Sequence, residues 1–132
     1  MDWFEFKELI IENLSNDLLS SKWRTYKTYH PTLDITFGHC YVASEAAYHL
    51  LGGKENGWKP FCMEVDLNTH WFLKHSSGFI LDVTESQFKS KLDYSKAKGK
   101  GFLTKQPSKR TRKLLKKISE SKKWSILKNR DA

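Results

Sequence analysis

The sequence predicts an α+β fold, in which helices flank a small antiparallel sheet. Three observations carry that expectation. An amphipathic stripe opens the chain, a helical segment begins at Cys40, and a strong hairpin signal occupies THWFLKHSSGFILDVT. At 132 residues and 39% apolar content, the chain can bury one sizeable core and is too short for two. A single domain is expected, divided into an N-terminal helix and loop (1–36), a core (37–94) and a basic loop with a C-terminal helix (95–132).

In WFEFKELIIENLSNDLL the residues Trp3, Phe6, Ile10, Leu14 and Leu18 recur at three or four, predicting a helix over about residues 2–20. SKWRTYKTYHPTLDITFG has no sustained period and contains Pro31, so a loop crossing the surface is expected. CYVASEAAYHLL sets Cys40, Ala43, Ala47 and Leu50 on one helical face, and Gly52-Gly53 ends it. PFCMEV reads as a strand closed by a DLN turn. If Ser76, Ser77 and Gly78 form a three-residue loop, His75 pairs with Phe79 and Phe72 with Asp82. Trp71, Leu73, Leu81 and Val83 then share an apolar face, while His70 lies diagonal to Asp82 on the other. A two-residue turn would put those two residues on opposite faces. TESQ fits a capping box opening a short helix, and SKAKGKG reads as a flexible basic loop. PSKRTRKLLKKISESKKWSILKN reads as a helix capped by Ser108, with Leu114, Leu115 and Ile118 as its stripe.

The net charge of +8 is uneven: residues 89–132 hold sixteen of the 23 Lys and Arg against Asp93, Glu120 and Asp131. Such asymmetry predicts an acidic partner, first an acidic protein substrate and alternatively nucleic acid, met by Lys109, Arg110, Arg112 and Lys113. No apolar run approaches the roughly 18 residues that cross a bilayer, and MDWFEFKELI has no basic-then-apolar leader, so a cytoplasmic protein without a membrane partner is expected. Cys40 and Cys62 are too few for a disulfide scaffold and are expected to be reduced. His39, Cys40, Cys62 and His70 lack the paired spacing that fixes a metal, KGKGF lacks the features of a phosphate loop, and no cofactor is expected. The five tryptophans are scattered, without the clustering of a base-stacking platform.

Cys40 caps a helix poorly, yet a helix N-terminus and a neighbouring imidazolium suit a thiolate nucleophile. His70 is then the expected base and Asp82 the residue that orients it. His39 could add a side-chain donor to the oxyanion, and Trp71 could wall the cleft. Cys62, in an apolar run, is expected in the core.

The order of cysteine at a helix start, histidine on a strand and aspartate on the next resembles the papain-like group of NlpC-type peptidases and transglutaminase-like enzymes. More closely, G-H-C-x-V-A-S-E-A, T-H-W-F and L-D-V-T-E-S-Q-F are similar to the small YunG-like proteins of bacteria and phages, over about residues 37–88. That resemblance implies a papain-like core, a helix packed on an antiparallel sheet, with Cys40 as nucleophile, His70 as base and Asp82 as orienting residue. Where related sequences place Gln before the cysteine, this chain has His39. The triad itself predicts a thiol peptidase, deamidase, amidase or acyl transferase, and the resemblance adds no substrate.

Overall fold

The computed structural model describes residues 1–130. Helix α1, Trp3–Glu12, starts where the Asp2 carboxylate accepts from the N–H of Glu5 and buries Phe6, Leu9 and Ile10. It ends earlier than the stripe predicts, because Asn13 caps it and donates to the carbonyl of Leu9. Ser15 is extended and its hydroxyl bonds Asp17, the local competition through which Ser, Asn and Asp break helices. Leu14 and Leu18 are still buried, from beyond the helix.

The stretch expected as a surface loop contains helix α2, Ser21–Tyr29. Lys27 is its one buried residue, so there is no apolar stripe for a periodicity argument to find. Helix α3, Cys40–Leu50, packs against the sheet and against the later helix α4, Lys109–Ser119. Ala43, Ala46 and Ala47 are fully buried, and their small size permits that approach.

The sheet has four strands in the order β3-β2-β1-β4, with neighbours antiparallel. Strand β1 is Trp58–Val65 and β2 is Asn68–His75, joined at Asp66 and Leu67, both left-handed, in a tight hairpin turn. Strand β3 is Ile80–Leu81, with Leu73 opposite Leu81 and Lys74 opposite Ile80. The N–H of His75 donates to Phe79, so the loop is the three-residue one. Thr84 opens a short 3₁₀ turn, Glu85–Gln87, without the expected capping box; Gln87 instead donates its amide to the Thr84 carbonyl and hydroxyl. The segment expected as a flexible basic loop contains strand β4, Lys98–Gly99, paired with β1.

The C-terminal segment is two helices. Ser108 caps α4 by accepting from the N–H of Thr111, and a break at Glu120–Ser121 precedes α5, Lys122–Asn129. Leu114 and Ile118 join Phe6, Leu9, Ile10, Val42, Leu73, Leu81 and Val83 in one hydrophobic core. Burying each such side chain contributes about 1.5–3 kcal/mol before chain entropy opposes it. Among the described residues, no helix is long and apolar enough to cross a membrane.

Candidate active site

Cys40 is the first residue of α3, and the preceding residue His39 makes no side-chain cap. The first N–H groups of a helix have no partner within it and carry the positive end of its dipole. The half-buried sulfur lies 3.7 Å from the Thr69 carbonyl, which brings Cys40 to the start of β2.

One residue further along β2, His70 is almost fully buried. Its Nε2 lies 2.7 Å from Oδ2 of Asp82, the residue just beyond β3. The three-residue loop makes this contact: it sets the two residues diagonally on one face. Tyr94 donates its hydroxyl to the same Asp82 oxygen at 2.8 Å. Phe88 presents an edge to the imidazole, with ring centroids 4.7 Å apart.

Burial disfavours the imidazolium. Bonding and charge from Asp82 and then Cys40 outweigh it, and the His70 pKa rises to about 9. The Cys40 sulfur is near enough to act on the ring, although Nδ1 makes no hydrogen bond that meets geometric criteria. Catalytic hydrogen bonds are often loose before substrate binds. Burial first, then the Asp82 charge, pushes the Tyr94 phenol far above its ordinary value, so its hydroxyl remains a donor.

Cys40 and His70 line a cleft of about 500 Å³ together with Trp23, Tyr26, Phe37 and Phe88. Asp34 stiffens its approach by accepting from the N–H and hydroxyl of Thr36 and, at 3.3 Å, from the hydroxyl of Ser86. These bonds tie the loop before Cys40 to the turn after Asp82. Burial would raise the Asp34 pKa, but the bonds from Thr36 and Ser86 bring it below the usual value.

His39 sits elsewhere than an oxyanion donor would. It is fully buried, with Nδ1 2.9 Å from the Ile35 carbonyl and Nε2 2.9 Å from that of Ser15. Trp71 packs between Tyr41 and Phe102, with the Lys100 ammonium 5.9 Å from its ring. It does not line the cleft. Lys109, Arg112 and Lys113 are exposed along α4, whereas Arg110 turns inward to donate to the Leu18 carbonyl. Cys62 is half-buried on β1, opposite Trp71.

Sequence reasoning missed Tyr94, Asp34 and the aromatic wall. Phe88 stood within the T-E-S-Q-F motif, but no local pattern marks Tyr94, which lies twelve residues beyond the aspartate it serves. No family model, curated protein or solved structure matches the chain.

Proposed function

We propose that the protein is a papain-like thiol hydrolase or acyl transferase acting on an amide or thioester. The observation that carries this reading is the buried imidazole held by Asp82 on one nitrogen and facing, with Cys40, a common cleft at a helix N-terminus. The Cys40 thiol passes its proton to His70 as the sulfur attacks the acyl carbon and forms the C–S bond. Negative charge collects on the acyl oxygen, beside the unpartnered N–H groups of the first turn of α3. His70 delivers its proton to the leaving nitrogen or sulfur as that bond breaks. Water or an amine then attacks the thioester, surrenders a proton to His70 and releases the cysteine.

Asp82 holds the ring in orientation and Tyr94 holds Asp82, so both position and neither touches substrate. The exposed Lys109, Arg112 and Lys113 favour an acidic macromolecular substrate, with the long-range attraction that speeds encounter.

The test is site-resolved alkylation by iodoacetamide across pH, read by mass spectrometry. Cys40 should react faster than Cys62, and His70→Gln should slow it at least tenfold while Cys62 is unchanged. Equal rates at Cys40 in the folded variant and the parent protein would remove the thiol reading.

A further inference from the structure

Lys59 on β1 and Lys74 on β2 stand directly opposite each other in the sheet. Like charges in that position destabilise a sheet. Among the described residues, no ion pair includes Lys54, Lys59 or Lys74, so no carboxylate relieves the repulsion. Their ammonium groups turn instead to one ring: Lys59 Nζ is 5.7 Å and Lys74 Nζ 5.5 Å from the centroid of Phe61. Phe61 is half-buried on the same face, stacked against its cross-strand partner Phe72.

Gly99 permits the arrangement. It lies opposite Phe61, and a Cβ there would meet the Lys59 side chain at 2.6 Å, so the missing side chain lets Lys59 lie across β4. Lys54, Lys59, Phe61 and Lys74, with Trp58 and His75, line an open hollow of about 370 Å³. Two like charges held side by side with no counter-ion from the described residues mark a surface suited to an anionic ligand.

We propose that this face binds single-stranded nucleic acid, with a base on Phe61 and the flanking phosphates on Lys59, Lys74 and Lys54. A flat ring between cations meets both halves of a nucleotide, its π-face and its charge. A peptide that docks by adding a strand fits less well. The adjoining edge of β1 carries Pro60, which has no N–H and whose carbonyl already accepts from Lys100.

The experiment is fluorescence anisotropy with a labelled oligothymidylate of about fifteen nucleotides, titrated with the full chain at several salt concentrations. Affinity should fall steeply with salt. Lys59→Ala/Lys74→Ala should weaken it at least tenfold and flatten the logarithmic salt slope by about 1.4, the effect of two lost phosphate contacts on a single strand. Phe61→Leu should weaken it about fivefold or more, with the slope unchanged. The double variant should melt no lower than the parent, since it removes a repulsion, so lost binding cannot be lost folding. No binding by the parent, unchanged affinity in the double variant, or equal competition by polyglutamate would overturn the proposal. So would a loss confined to Arg112→Ala/Lys113→Ala on α4.

Discussion

Two imidazoles flank the thiol, and both are buried, yet their partners differ in kind. His39 adjoins Cys40 in sequence, but both of its nitrogens face backbone carbonyls. Its ring is a strut between the loop at Ile35 and the chain at Ser15. His70 comes thirty residues later, spends one nitrogen on a carboxylate and keeps the other unbonded. The partners decide the charge as well. Burial, with help from nearby Lys27 and Arg110, outweighs the two carbonyls and lowers the His39 pKa. At His70 burial acts in the same direction, and Asp82 with Cys40 reverses it. Proximity to the thiol in sequence is therefore a poor guide to an imidazole's charge; its bonding partners are a better one.

The largest expected effect comes from breaking the His70 pair. Asp82→Ala leaves a buried imidazole and the Tyr94 hydroxyl without their acceptor, a loss of about 3–5 kcal/mol. The pH dependence identifies the cause. The folded protein binds the His70 proton more tightly than the unfolded chain, whose imidazole titrates near 6.5. That stabilisation is complete below about pH 6.5 and is lost as pH rises through about 9. Urea denaturation of the parent protein should therefore show falling stability from neutral to alkaline pH, and Asp82→Ala should show a flatter limb there. An equally steep limb in the variant would mean that Asp82 does not hold the proton.

His39 should shape the opposite limb. Its folded pKa lies below the ordinary value, so on acidification the unfolded chain takes up the proton more readily and stability falls below about pH 6.5. His39→Ala should remove that acid limb and cost about 1–3 kcal/mol, since the neutral ring donates from one nitrogen only and the Ile35 carbonyl still accepts from Lys27. Alkylation of Cys40 should persist in the folded variant. If it vanished while the acid limb remained, the assignment of strut and base would have to be exchanged.

The site was more legible than the fold around it. Period-two alternation and the Ser-Ser-Gly loop set the register from His70 to Asp82, because one slipped residue would have exposed Leu73 and Leu81. The extent of α3 was readable from its alanines and the glycines that end it. Helix α2 was not, since a helix that buries a single lysine leaves no hydrophobic period. The end of α1 was missed for the opposite reason: Leu14 and Leu18 continue the stripe into a segment where Asn13 and Ser15 have already turned the backbone. Tyr94 and the Asp34 brace are contacts between distant loops, and nothing in a local window encodes them.

The smallest effect should come from Lys27, which sharpens the contrast between the histidines without touching either ring. Its ammonium donates to the Ile35 carbonyl at 3.1 Å, the same oxygen that faces His39 Nδ1. Burial lowers the lysine's own pKa, with the Asp34 charge opposing. Because the cation also disfavours a proton on His39, Lys27→Met should raise the His39 pKa and weaken the acid limb. The carbonyl keeps His39 as a donor, so the stability change at neutral pH should be about 1 kcal/mol or less. The His70 limb should not move, because its charge is governed by Asp82 and Cys40. Proton NMR titration of the imidazole Cε1 resonances would follow both rings in one experiment. A shift at His70 equal to that at His39 would show that the two imidazoles share one electrostatic environment, and the separation between strut and base would fail.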